Sequence, residues 1–272
     1  MKIDVLVTTM HQQDFSKYSQ MNLQTDAVIA NQANSNSYAE QEINGHTVKL
    51  VTTNTRGTSR NRNIALCHST AEYVLFSDDD LVFVEGYKQL IQSEFANHPE
   101  ADAIKFNLYN ISSTRKISMK QIEKFEPATR RNMGGSGVWG LVIKRDVLIR
   151  NNLYFREDFG PGTENYCGED TIFLQKLVNA KIGFFRSPIV IAGIDQTTST
   201  WFDGHNEKYF MVNGKILASI YPHIACLLAI RSAYRFSKRS DCKMSFIKTL
   251  KCYFSGIKSL HRARRGSKED RL

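Results

Sequence analysis

Three consecutive carboxylates, Asp78, Asp79 and Asp80, and an adjacent pair, Glu169 and Asp170, are the residues of this chain best suited to chemistry. Neighbouring carboxylates repel one another unless a divalent cation or a basic group compensates, and Mg²⁺ or Mn²⁺ would do so. On an extended chain alternate residues share a side, so Asp78 and Asp80 would face one ion while Asp79 points elsewhere. A solvated acidic turn has the same composition. Glu169 and Asp170 open an apolar helical stretch, where acids gain from the helix dipole without any catalysis. Beside a metal cluster, a fixed carboxylate would also take the proton from an acceptor hydroxyl. Arg56, Arg60 and Arg62 surround Gly57, Thr58 and Ser59 at a helix start, where the macrodipole disfavours each cation by about 0.3–1 kcal/mol. Either a bound diphosphate or nearby surface acids would offset that cost.

The elements that must hold these groups follow from the hydropathy pattern. Ile3 to Thr9 reads as a β-branched first strand, with Ala27 to Ala30 and Val48 to Val51 as further short strands. Thr58 or Ser59 caps a helix to about Ser69, and the apolar run Tyr73 to Phe76 suits a central strand covered on both faces. That strand delivers the aspartates to the crevice beyond its carboxyl end, where α/β sheets bind ligands. A helix over Glu85 to Asn97, a strand over Ala103 to Leu108, a polar excursion over Ser112 to Asn132 and a strand over Val138 to Lys144 follow. Asn151 to Tyr166 reads as a loop rich in Gly and aromatics, and Glu169 to Asn179 as a helix. Beyond a strand at Ile189 to Ala192, two amphipathic helices are expected over Asn213 to Phe236 and Met244 to Arg262. The alternation predicts an α/β fold with a largely parallel sheet.

Four stretches in this order, IDVLVTT, GTSRNRN, LFSDDD and FGPGTENYCGED, resemble the family 2 glycosyltransferases of bacteria over roughly residues 1 to 200. The resemblance implies a GT-A fold, a Rossmann-like nucleotide-binding sheet flanked by helices, over residues 1–205, with a helical basic C-terminal extension over 206–272. It also implies a nucleoside diphosphate sugar donor, a saccharide or lipid-linked acceptor, and inversion at the anomeric carbon. By the same resemblance Thr8 and Thr9 would lie near the nucleotide, Arg62 and Asn63 would match an Arg-Asn pair, and Asp78 with Asp79 would bind the nucleotide. Asp78 and Asp80 would hold Mn²⁺ or Mg²⁺, Asp170 would be the base, and Glu169 would orient or bind the acceptor. A third metal ligand would be His205 or Asp195. Trp139 and Trp201 are either sugar-stacking platforms or packing residues.

At 272 residues and 42% hydrophobic, the chain can bury one large α/β core plus an appendage. Its five cysteines are odd in number and lack C-x-x-C spacing, which points to a reducing compartment. The N-terminal apolar stretch is too short for a signal peptide, and no segment is apolar for long enough to span a membrane. A cytoplasmic protein, peripheral at the inner face of the membrane, is expected. The net charge of +9 is concentrated at the end, where residues 231–272 hold 13 Lys+Arg against 3 Asp+Glu. That tail, with interspersed apolar residues from Leu227 to Leu260, suits an anionic membrane surface or a solvated helix face. A non-catalytic, basic membrane- or nucleic-acid-binding protein would leave both acidic motifs without a purpose, and no nucleic-acid partner is expected. A nucleotidyltransferase would need a glycine-rich basic loop after the first strand, where MHQQDFS stands instead.

Overall fold

The sheet begins with β1 (Ile3–Met10), followed by α1 (Ser16–Gln20), β2 (Asp26–Gln32), β3 (Ser37–Ile43) and β4 (His46–Thr53). Next come α2 (Thr58–His68), β5 (Tyr73–Asp78), β6 (Leu81–Phe83), α3 (Tyr87–Asn97) and β7 (Ala103–Asn110). The remaining elements are β8 (Glu126–Pro127), β9 (Leu141–Lys144), α4 (Arg145–Arg150), α5 (Glu169–Asn179), β10 (Phe184–Ile194), α6 (Glu207–Ile220), α7 (Ala225–Ser237) and α8 (Phe246–Glu269). This computed structural model describes residues 1–111, 121–195 and 204–269. Part of the polar excursion expected from Ser112, and the stretch 196–203 with Trp201, lie outside the described residues.

Strand order is β3-β4-β2-β1-β5-β9-β7-β10-β6, with β8 beside β10. The strands β4, β2, β1 and β5 are mutually parallel, as are β7 and β10. β9 runs antiparallel to both β5 and β7, so the sheet is mixed rather than largely parallel. No helix separates β7 from β9 among the described residues, and an antiparallel neighbour needs no helical crossover. β3 was not anticipated, although the two-residue turn Asn44-Gly45 before β4 announces a hairpin: both residues have the positive φ, 53° and 77°, that this turn requires. Its mostly exposed residues include Glu40 and Glu42, which suit an edge strand.

Alternation along the strands fills two cores. Val5, Val7 and Leu75 enter one, with Phe83, Tyr87 and Ile91. Leu6, Val74 and Phe76 enter the other, with Phe155, Phe173 and Leu177. The apolar run of β5 is therefore covered on both faces, as its composition requires.

The chain forms two compact units, one of residues 1–163 and 169–199, the other of residues 164–168 and 200–272. The second is built from α6, α7 and α8 around Phe210, Ala229, Ala233, Tyr253, Ile257 and Leu260. Three helices replace the two expected because α6 stops at Ile220: Pro222 has no N–H and disfavours helical geometry at Tyr221. Asn206 caps α6 by accepting the Tyr209 N–H at 2.8 Å. The backbones of α6 and α8 touch, since a Cβ at Gly214 would lie 2.2 Å from the Tyr253 carbonyl oxygen and one at Gly256 within 1.9 Å of that of Met211. Residues 164–168 are held in this unit by Lys215, whose Nζ donates to Asn165 Oδ1 at 2.7 Å, by Lys208 over the Tyr166 ring and by Ile216 against Gly168.

Candidate active site

The start of α2 is fastened to the loop over residues 155–163. Gly57, not Thr58 or Ser59, stands at the cap position with φ 113°, and its N–H donates to Gln32 Oε1 at 2.8 Å. The Thr58 N–H donates to the Pro161 carbonyl at 3.0 Å and Ser59 Oγ to the Phe159 carbonyl at 2.7 Å. One backbone donor of the helix and the Ser59 hydroxyl are thus taken up by the loop that leads toward Glu169. Arg60 pairs with Glu157 at 2.8 Å, and Arg56 donates to the Ala33 carbonyl and to Asn34. Asn63 exchanges two hydrogen bonds of 3.0 Å with the Phe155 backbone and so fastens the loop. Asn61, which the sequence reading passed over, ties the same helix to β1 and β2 through the Thr9 and Ala30 carbonyls.

Arg62 turns inward from this helix and joins the two acidic motifs. Its Nη2 donates to Asp78 Oδ1 at 2.8 Å, its Nη1 to Asp170 Oδ1 at 2.6 Å, and Nη1 lies 3.9 Å from Glu169. With a side chain only 3% exposed, it is a buried counter-ion shared by the two acidic motifs. Burial alone would lower its affinity for a proton, but Asp170, Asp78 and Glu169 outweigh that and hold it charged.

Parallel register sets the aspartates. Thr8 of β1 lies opposite Asp78 of β5, and its hydroxyl donates to Asp78 Oδ1 at 2.9 Å. Thr9 does the same for Asp79 Oδ2 at 2.5 Å, and Lys17 donates to the Asp79 carbonyl at 3.3 Å. The two threonines position carboxylates here. β5 ends at Asp78 and a turn at residues 79 and 80 leads into β6, so the side-to-side alternation of an extended strand does not extend across the triplet. Asp80 is the carboxylate without a compensating partner: its buried Oδ1 has no hydrogen bond. Burial first, then Asp78 and Asp79, push its carboxyl up to about 7. Pairing of β6 with β10 brings Asp195 alongside, its N–H donating to the Asp80 carbonyl at 3.0 Å.

Asp170 is gripped on both oxygens, by Arg62 on Oδ1 and by the Val138 N–H on Oδ2 at 3.2 Å. Burial raises its pKa and Asp78 adds to the rise, while Arg62 and the Val138 N–H oppose it. Glu169, against Gly160, is pushed up to about 8 by burial and then by Asp170. Lys105 of β7 is a further group that sequence reading did not single out, because a lysine within an apolar strand looks like an edge residue. It is buried, its ammonium donates to the Trp139 carbonyl and lies 4.8 Å from the indole centroid, and burial pushes it down to about 7. Trp139 packs between this ammonium and the Gly137 backbone and against the core.

His205 belongs to the helical unit, where its Nδ1 lies 3.7 Å from Asp241 and its ring 5.0 Å from those of Tyr209 and Phe236. Among the described residues no group of three or more His, Cys, Asp or Glu side chains is placed to hold an ion. The orphaned Asp80 oxygen, with Asp78 beside it, fits instead a cation of the Mg²⁺ kind, which uses one or two carboxylates and completes its shell with phosphate oxygens and water. Together the site brings a buried carboxylate oxygen without a hydrogen bond just beyond β5, a pre-oriented carboxylate in Asp170, and one buried guanidinium joining Asp78 to Asp170.

Residues 26–151 match the family model described as Glycosyl transferase family 2. Among solved structures, S. aureus TarS 1-349 in complex with UDP-GlcNAc aligns with a TM-score of 0.66 at 15% identity, covering 96% of this chain and 84% of that one. The complex of the same TarS segment with UDP gives 0.64 at 16% identity, covering 96% and 83%. A longer TarS structure gives 0.61 at 17% identity, covering 88% of this chain and 44% of that one. No curated protein matches the sequence. At these identities the structural likeness is one of fold, and the fold is GT-A.

Proposed function

We propose, from the match of residues 26–151 to the Glycosyl transferase family 2 model, that this chain transfers a sugar, with inversion, from a nucleoside diphosphate sugar to an acceptor hydroxyl. The observation that carries this reading is the meeting of Asp78 and Asp170 on one buried arginine, with Asp80, whose buried Oδ1 has no hydrogen bond, two residues from Asp78. The UDP-GlcNAc held by S. aureus TarS supports a nucleotide sugar as the donor class. A saccharide or lipid-linked acceptor, and a place in cell-surface polysaccharide synthesis at the inner face of the membrane, complete the proposal.

Asp80 and Asp78 would hold Mn²⁺ or Mg²⁺, which when bound neutralises charge on a leaving diphosphate. Asp170 accepts the proton of the acceptor hydroxyl as that oxygen bonds to the anomeric carbon and the bond to the diphosphate breaks. Its two anchors fix the carboxylate's plane, and burial makes it a stronger base than a solvated aspartate. Glu169, largely protonated near neutral pH, donates a hydrogen bond to the acceptor instead of competing for its proton.

Melting the protein with UDP, GDP, CMP or TDP, with and without Mn²⁺, tests the donor assignment, because a ligand raises stability by RT ln(1 + [L]/Kd). One nucleotide is expected to shift the midpoint only with metal, and Asp80→Ala to abolish that shift. Asp170→Asn is expected to keep the shift and lose about 10²–10⁴ in transfer rate. No shift from any nucleotide, or full turnover by both variants, ends the assignment.

A further inference from the structure

The helical unit turns an apolar, basic face to solvent. Ala225, Ala229 and Ala233 recur every fourth residue along α7 and bury one side of it against α8. Leu227, Ile230 and Tyr234 lie away from that side, within an arc of roughly 60° at 3.6 residues per turn, and they are 67%, 43% and 54% exposed. Ile224 continues the stripe at the N-terminal end. Arg231 and Arg235 lie along one side of it and Lys238 stands at its C-terminal end, and residues 222–240 contain no Asp or Glu. Neither Arg231 nor Arg235 has a carboxylate partner among the described residues, and the Lys238 ammonium sits over the Tyr234 ring, 4.3 Å from its centroid.

Of the apolar residues of α8, Tyr253, Ile257 and Leu260 lie in the core of the unit, whereas Ile247 and Phe254 are 65% and 39% exposed. No helix among the described residues is long and apolar enough to cross a membrane. A helix that is aliphatic along one line, aromatic at the end of that line and cationic along one side of it has the makeup of an element lying in a membrane interface.

We propose that the outward face of α7 docks on an anionic lipid surface, with Leu227, Ile230 and Tyr234 entering the headgroup boundary and Arg231, Arg235 and Lys238 meeting lipid phosphates. Charge complementarity selects this occupant. Two copies of the face would bring like charges together, and a nucleic-acid backbone would leave Leu227 and Ile230 without an apolar partner. The inference is independent of the transferase reading, since it concerns binding alone.

Flotation of the full chain with vesicles of equimolar phosphatidylcholine and phosphatidylglycerol, against phosphatidylcholine alone, tests it. The wild type is expected to float with the anionic vesicles only. The triple variant Leu227→Ser, Ile230→Ser, Tyr234→Ser and the double variant Arg231→Glu, Arg235→Glu should each lower the bound-to-free ratio about tenfold or more. Because these side chains are exposed, circular dichroism and melting should be unchanged, which separates lost docking from lost folding. Absent binding, equal binding to neutral vesicles, or undiminished binding of the variants overturns the proposal. So does sedimentation showing a wild-type dimer that the triple variant dissolves, or displacement from vesicles by an oligonucleotide.

Discussion

Arg62 is the charge on which three acids depend. Replacing it by Met would leave Asp78, Glu169 and Asp170 buried without their counter-ion, a defect that typically costs about 3–5 kcal/mol. Urea unfolding of Arg62→Met should show a loss of that size together with loss of transfer, and Arg62→Lys should not restore activity, because a single ammonium cannot donate in a fork to two carboxylates. Lys105 gives a pH signature. Its amine has an ordinary value of 10.5 and burial pushes it down to about 7, so above about pH 7 the unfolded chain holds a proton that the folded chain has released. Stability from this group therefore rises between about pH 7 and about pH 10 and is lost as the pH falls through 7. Glu169 works in the opposite sense below about pH 8, so the informative quantity is the difference between wild type and Lys105→Met. That difference should move in favour of the wild type on raising the pH from 7 to 9 in chemical unfolding; a constant difference would refute it.

At the scale of elements, α2 and the loop over residues 155–163 form one fastening. Gly162 has φ 85°, and a Cβ there would lie 3.0 Å from the Gly57 nitrogen, at the mouth of the helix. Gly162→Ala should cost about 1–3 kcal/mol of backbone strain, seen as a lower melting midpoint, and should also reduce turnover because this loop runs on toward Glu169. The sequence exposed some of these relations and hid others. β5 and its aspartates were legible because a continuous apolar run ending in carboxylates has few other physical solutions. The acids opening α5 were legible for a similar reason, standing just before an apolar helical period. What local pattern does not encode is a partner about a hundred residues away. Ser59 and Asn63 read as the start of a ligand-binding helix, yet their bonds go to Phe159 and Phe155. The reversed β9 and the inward turn of Arg62 were hidden for the same reason. The hairpin at Asn44-Gly45 and the break at Pro222 were written locally, and the apolar periodicity on either side drew attention from them.

Across the whole molecule, the acidic site and the basic face belong to separate cores, and the net charge divides likewise, +10 over residues 231–272 and −1 over the rest. The division is not a clean cut in the sequence, since residues 164–168 belong to the helical unit and Glu169 follows immediately. A chain ending at Ser199 should therefore lose transfer even with the aspartates intact, because Asn165, Tyr166 and Gly168 lose Lys215, Lys208 and Ile216. Amide exchange at 164–168, slow in the full chain and fast in the shortened one, would show the cause; retained activity would show that the five residues hold their course unaided. For the history of the gene the same stitch has another meaning. A recombination that imports a foreign helical unit must also import five residues from the middle of the catalytic sequence, so the two parts are inherited as an interlocked pair and not as exchangeable cassettes.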